Sequence, residues 1–327
     1  MSFHQHVEQQ AFKFMTCYEF NARRPNRSLP QSCVGENMIN RRSLLVGMAG
    51  ASYLAVSPKA EAAGAKRETF NLYDSLLFVG KPELSRYGLK RARTVYENEL
   101  WPPKRSAIPN EAAVRSKARA VLAEGVTAAV PVILDVEQYL VDVRLDISHI
   151  NPDTATVDAN ILKLEQIIGW FKNEAPTLQV GFFDVAAPLV GFPVTGQQPA
   201  NDAELVIWKR ANSYLIPFVT YVDALYPSLY TVDTDPAKWV ASARRNISEA
   251  KRIAQEKPVR PFIWPQYHDV MRGPLAGTYI DYDYWMLQLR TVRDAGASGI
   301  VFWGGYQTPW DETQGWWHAT LDFIATK

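Results

Sequence analysis

The chain has 327 residues, 35 lysines and arginines against 34 aspartates and glutamates, two cysteines and ten tryptophans. With 47% hydrophobic and 12% aromatic residues it is neither a disordered nor a low-complexity chain. A net charge of +1 gives no general electrostatic reason to bind nucleic acid.

Residues 1–37 show no sustained helical or strand period, and are expected to be a disordered extension or to precede a true start at Met38. Cys17 and Cys33, with His4 and His6, match no zinc-ligand spacing. From Met38 the order is Arg41-Arg42, an apolar stretch from Leu44 to Val56, and Ala60-x-Ala62. Basic, apolar and small residues in that order read as a secretory signal over 38–63. The arginine pair ahead of Ser43, Leu44 and Leu45 resembles a twin-arginine signal, which exports already folded proteins from a bacterial cytoplasm. The apolar run is short for a hydrocarbon core of ~30 Å, so cleavage is expected rather than stable membrane insertion. The export machinery is then a partner, and the periplasm or the medium the destination.

Residues 64–327 carry 28 basic and 30 acidic residues, no cysteine and all ten tryptophans. An exported protein without disulfides relies on its core, and this length is sufficient for one. Strands are expected at Phe70–Tyr73, Thr94–Glu97, Ala129–Asp135, Leu178–Asp184, Ala224–Tyr230, Val259–Trp264 and Gly299–Trp303. Several are apolar along their whole length, as in parallel strands covered on both faces. Between them, helices are expected at Glu111–Glu124, Val157–Glu174, Pro236–Gln255 and Tyr282–Ala295. Asp235 serves as N-cap, Pro236 as first helical residue and Gly296 as terminating glycine. This alternation predicts an α/β fold, one TIM-like (β/α) barrel domain over 64–327 with seven or eight parallel strands. No Gly-x-Gly-x-x-Gly supports a dinucleotide fold.

Active sites of such barrels lie at the C-terminal strand ends. There the sequence places Asp135, Asp184, Tyr230, Trp264 and Trp303, with Glu137, Tyr267 and His268 just beyond. Flat rings stack on sugar faces while carboxylates handle protons, so the set points to carbohydrate. Asp135 and Glu137, two apart on an extended chain, share a face. Two close carboxylates cannot both ionise freely, which leaves one able to act as an acid near neutral pH. The plain alternative is a solvated pair bridged to Arg144.

Leu134-Asp135-Val136-Glu137 resembles the Asp-x-Glu motif of the hyaluronidase family of glycoside hydrolases. The segment 224–230, with Pro227, Ser228 and Tyr230, is similar to that family's Pro-Ser-x-Tyr strand. The helix 239–254, the strand 260–267 and the segment 296–304, which ends Trp303-Gly304, follow in the family's order. The resemblance implies a substrate-assisted retaining hydrolase. In it Glu137 is proton donor and then base, and Asp135 orients a substrate acetamido group that attacks the anomeric carbon. Tyr230 and Trp303 then line the subsite for that sugar. Phe182, Phe183 and Asp184 stand where the family has a tyrosine-rich stretch, and no basic groove for a polyanion is evident.

Other readings stay open. Asp184 is either a second catalytic carboxylate or a structural residue, capping a helix or paired with Lys209 or Arg210. Tyr230, Trp264, Tyr267 and Trp303 either contact substrate or cap the core. Asp74 is a further candidate for the mouth, His268-Asp269 is either an acid–base pair or solvated, and Trp310, Trp316 and Trp317 read as packing. No cofactor or metal is expected, and no Gly-x-Ser-x-Gly or His-Glu-x-x-His occurs. A polysaccharide or oligosaccharide is the expected ligand. The rival functions are a non-catalytic carbohydrate-binding barrel of the cell envelope and a metal-dependent hydrolase using Asp135, Glu137, His268 and Asp269.

Overall fold

A computed structural model describes residues 70–101, 108–137, 155–185, 202–269 and 274–326. All belong to one unit, Glu68–Lys327. The proposed signal, its upstream extension and Arg144 lie outside the described residues.

The strands are β1 (Asn71–Leu76), β2 (Lys90–Arg91), β3 (Arg93–Tyr96), β4 (Val132–Asp135), β5 (Val180–Phe182), β6 (Phe262–Ile263) and β7 (Gly299–Gly304). The helices are α1 (Glu97–Leu100), α2 (Glu111–Ala123), α3 (Ala155–Glu174), α4 (Asp202–Tyr214), α5 (Ile216–Val219), α6 (Pro236–Ala254), α7 (Tyr282–Asp294) and α8 (Gly315–Ala325). All paired strands are parallel, in the orders β2-β1-β7-β6 and β3-β4-β5. The segment 224–231 joins the two groups through Phe183↔Tyr226, Leu225↔Val259 and Ser228↔Phe262. On the other side β2 and β3 are separated only by Ala92, whose N–H donates to Asp74 O at 3.0 Å. The pairings therefore run round a ring, the expected (β/α) barrel, through seven positions among the described residues.

Proline explains where ladders fall short of the expected strands. Pro227, Pro258 and Pro261 have no N–H to donate, so 224–230 forms single bridges and only Phe262–Ile263 of 259–264 is a continuous strand. β4 starts at Val132 rather than Ala129, because a turn closed by Val130 N–H to Thr127 O at 2.9 Å precedes it.

The four expected helices form with ends within two residues of expectation. In α3 the buried Val157, Leu164, Ile167, Ile168 and Phe171 share one face. Asp235 caps α6, its Oδ1 accepting from Ala237 N–H at 2.9 Å. Gly296 ends α7 in the left-handed region, φ 81°. Replacing Asp235 by Ala should cost about 1 kcal/mol, read as a lower denaturant midpoint with unchanged slope.

Inward-facing Tyr73, Ala92, Ile133, Ala224, Tyr226, Phe262 and Val301 fill the barrel, with Tyr230 above them. Two outer layers complete the core: α2, α3 and α5 over β3–β5, and α7 and α8 over β1 and β7. Trp316 and Trp317 are buried in the second layer, confirming them as packing residues.

Candidate active site

The period of two that sends Ile133 into the barrel also sends Asp135 to its mouth, and Glu137 follows on the same side. The two carboxyls are hydrogen-bonded to each other, and both are pushed up, chiefly by burial. Asp135 is raised well above the usual carboxylate range, with the charges of Glu137, Glu97 and Asp184 adding to the effect. The pair shares one proton, which either carboxyl can carry. Among the described residues no donor reaches Asp135 Oδ1, which is buried.

An aromatic wall stands beside the pair. Tyr230 stacks on Trp303 at 5.5 Å and 26°, and meets Trp264 edge-on at 5.6 Å. Trp264 and Trp303 are perpendicular at 5.1 Å, and Phe183 stacks on the other side of Tyr230 at 5.8 Å. Burial first, then the charges of Asp135 and Glu137, hold the Tyr230 hydroxyl far above its ordinary range, so it stays protonated. Its chain neighbours are held from outside, Leu229 O by Trp239 Nε1–H at 3.1 Å and Thr231 Oγ1 by Gln288 Nε2–H at 2.8 Å.

Trp264 fits because residue 304 is glycine. At φ 123°, a Cβ there would lie 2.2 Å from Trp264 Cδ1. Gly304→Ala should therefore cost about 1–3 kcal/mol of stability, read by denaturant unfolding.

Two residues of this site were not singled out by the sequence. Tyr96 pairs with Asp135 across the β3–β4 ladder, and its hydroxyl accepts from Trp303 Nε1–H at 3.0 Å. Its backbone N–H donates to Glu99 at 3.0 Å, and Glu99 is in turn held by Arg93 and Lys117 at 2.8 Å each. Those cations depress the Glu99 carboxyl to about 2 despite its burial. Glu97, 3% exposed, follows Tyr96 and acts electrostatically on both Asp135 and Glu137. The available signal was position alone: 94–97 was an expected strand, and these are its last two residues.

The remaining candidates divide. Asp184 has φ 48°, which Asp tolerates, and its Oδ1 accepts from Ser228 N–H at 2.9 Å. It therefore ties β5 to the segment carrying Tyr230, while its charge is felt at Asp135 and Tyr230. That hydrogen bond is a structural contact, and it is not the helix cap expected. Tyr267 turns outward and packs with Tyr284 at 6.4 Å in the layer under α7, away from the Asp135 group. Asp74 accepts from Lys81 Nζ at 2.6 Å and from Leu76 N–H at 3.0 Å. His268 is not merely solvated: it lies 5.4 Å from the Trp264 ring and 5.7 Å from Tyr230. Among the described residues no group of three or more His, Cys, Asp or Glu side chains is arranged to hold a metal ion. No described helix is long and apolar enough to cross a membrane.

The fold is a parallel (β/α) barrel with acidic and aromatic residues gathered at its mouth. Among solved structures the chain is similar to bee venom hyaluronidase, with 16% identity, TM-score 0.53, and coverage of 78% of this chain and 96% of that one. The same enzyme in complex with a hyaluronic acid tetramer gives 15% identity, TM-score 0.53, and coverage of 78% and 95%. At such identity the likeness establishes the fold alone. No family profile matches the chain, and no curated protein matches it.

Proposed function

We propose that the protein is an exported glycoside hydrolase of a polysaccharide or glycoconjugate, acting with retention and with help from a substrate acetamido group. The observation that carries this reading is the direct hydrogen bond between Asp135 and Glu137. An acid and an enzyme nucleophile that flank a glycosidic bond stand about 5–5.5 Å apart, and an acid and a water-activating base stand farther still. Carboxyls in mutual hydrogen-bond contact cannot flank the bond in either way. In this reading one of them protonates the leaving oxygen, and the other serves that step from the side.

Glu137 takes the first role: it donates the shared proton to the glycosidic oxygen and later removes one from water. Asp135 takes the second, orienting the acetamido group whose oxygen attacks the anomeric carbon and balancing the charge that develops on it. Tyr230, Trp264 and Trp303 give the sugar its stacking wall. The Tyr96 hydroxyl beside Asp135 offers a polar contact where Phe183 supplies none. The likeness to bee venom hyaluronidase, whose complex holds a hyaluronic acid tetramer, supports a sugar polymer as substrate. Placement of the enzyme in the periplasm or the medium rests on the twin-arginine pattern of residues 38–63.

The test is a panel of N-acetylated and non-acetylated polysaccharides, read by release of reducing ends. Cleavage confined to N-acetylated polymers is expected. Equal cleavage of polymers lacking an acetamido group excludes substrate assistance, and binding without cleavage favours the carbohydrate-binding barrel.

A further inference from the structure

The chain passes from β1 to β3 through only the short 3-10 turn Leu84–Tyr87 and the two residues of β2. Pairing of β1 with this segment reaches Asp74↔Arg91 and ends with Ala92 N–H donating to Asp74 O at 3.0 Å. Beyond that point no backbone hydrogen bond among the described residues joins β1 to β3. Leu77 N–H points to β7, donating to Gly304 O at 2.8 Å, so by alternation Leu76 N–H points the other way. It finds no strand there and donates to Asp74 Oδ1 at 3.0 Å instead. The buried hydroxyls of Ser75 and Thr94 bridge the gap at 2.7 Å. The parted wall leaves a cavity of about 330 Å³, whose lining includes Asp74, Leu77, Lys81, Arg91, Arg93 and Tyr96. That volume falls within the range of small-ligand sites, about 300–1,000 Å³.

Tyr96 belongs both to this groove and to the aromatic wall, since its hydroxyl accepts from Trp303 Nε1–H at 3.0 Å. A chain bound along the wall therefore meets the groove at Tyr96. The cations of the groove are already matched by carboxylates. Lys81 Nζ donates to Asp74 Oδ1 at 2.6 Å, Arg93 meets Glu99 and Glu124 at 2.8 Å each, and Arg91 meets Glu124 at 3.2 Å. An anionic ligand would have to compete with those carboxylates. A sugar hydroxyl would not, because it can accept from a cation and donate to a carboxylate of the same pair. The Lys81 ammonium has three N–H donors and both its bonds go to Asp74, which leaves one for a ligand. Leu77, 37% exposed, adds an apolar edge for the C–H face of a sugar ring.

We propose that the groove between β1 and β3 is a subsite for an uncharged, hydroxyl-rich sugar residue, held beside the residue that stacks on the aromatic wall. This rests on the reading of Tyr230, Trp264 and Trp303 as the subsite for an acetamido sugar. The polymer selected is then one in which N-acetylated residues adjoin neutral ones rather than uronates.

The experiment is a binding titration by ligand-observed nuclear magnetic resonance, using the full chain with Glu137→Gln as parent so that no probe is cleaved. The probes are N-acetylglucosamine, a hexasaccharide of alternating N-acetylglucosamine and galactose, and a hyaluronan hexasaccharide. The neutral hexasaccharide should bind the parent more tightly than the hyaluronan one. Adding Lys81→Gln should weaken the neutral hexasaccharide roughly tenfold, the loss of one charge-assisted hydrogen bond, and leave the monosaccharide unchanged. Ser85 is exposed and lines the groove, so Ser85→Trp fills the space without altering the Asp74–Lys81 pair and should act in the same way. Thermal unfolding shows that each variant is folded. Unchanged hexasaccharide affinity in both variants overturns the proposal, while cleavage of N-acetylated polymers by wild type keeps the hydrolase reading. Equal losses for monosaccharide and hexasaccharide also overturn it, because the groove would then act only through the wall. Tighter binding of the hyaluronan hexasaccharide, lost in Lys81→Gln, overturns the assignment to an uncharged sugar. Groove-dependent binding by a protein whose wild type cleaves no sugar keeps the subsite and rejects the hydrolase reading instead.

Discussion

Replacing Glu137 by Gln is expected to lower sugar cleavage by about 10²–10⁴-fold, the range that loss of a general acid–base group costs. The amide keeps the size and the hydrogen-bonding edge of the carboxyl but has no proton to give. Substrate affinity should change far less, because the aromatic wall of Tyr230, Trp264 and Trp303 remains. The same variant should be more resistant to unfolding near neutral pH. The carboxyls of Asp135 and Glu137 bind protons more tightly in the folded state than in the unfolded chain. Between the ordinary carboxylate range and their raised folded values, the native state therefore carries more protons, and stability falls as pH rises. An amide at either position removes part of that penalty. The gain in melting temperature of Glu137→Gln over wild type should thus grow from pH 4 to pH 7, as thermal unfolding at stepped pH would reveal. An active variant with no such gain would show that the pair is solvated and ordinary.

The second large effect lies away from the site. Trp285 on α7 is fully buried, between Phe302 of β7 at 5.6 Å and Trp316 of α8 at 6.0 Å. Its Nε1–H donates to Thr320 Oγ1 at 2.9 Å, and Thr320 donates to Trp316 O at 2.8 Å. Trp285→Ala removes the ring that joins these layers and leaves Thr320 with one partner fewer, a loss of about 3–5 kcal/mol. Trp285→Phe keeps most of the apolar volume and loses the donor, so a markedly smaller loss is expected. Urea unfolding of the two variants separates the contributions. Catalysis by the folded fraction should be unchanged, because β7 delivers Trp303 to the opposite face of the strand.

How much of this was legible in the sequence depended on whether a signal was local. Asp235, Pro236 and Gly296 mark helix ends through their own backbone chemistry, and those ends were found within two residues. The apolar runs ending at Asp135 and Trp303 gave the strands that carry the site, because burial on both faces leaves a continuous hydrophobic stretch. Helix α8 was not read as one, although its buried Trp316, Ala319, Thr320 and Phe323 follow the helical period. The segment 259–267 was placed correctly, but its facing was not: Trp264 turns to the mouth and Tyr267 to the outer layer. Tyr96 and Glu97 join the site only through the β3–β4 register, a relation that leaves no mark in nearby sequence. His268 was read as lying just beyond its strand end, but its contact with Tyr230 was not.

The proposed function requires the Asp135–Glu137 pair to cleave sugar polymers. Its most direct test is to follow chain shortening of N-acetylated polysaccharides by size-exclusion chromatography, with wild type and Glu137→Gln at equal concentration. Progressive shortening by wild type and essentially none by the variant is the predicted result. Equal rates from both proteins, or tight binding with no shortening by either, would contradict it.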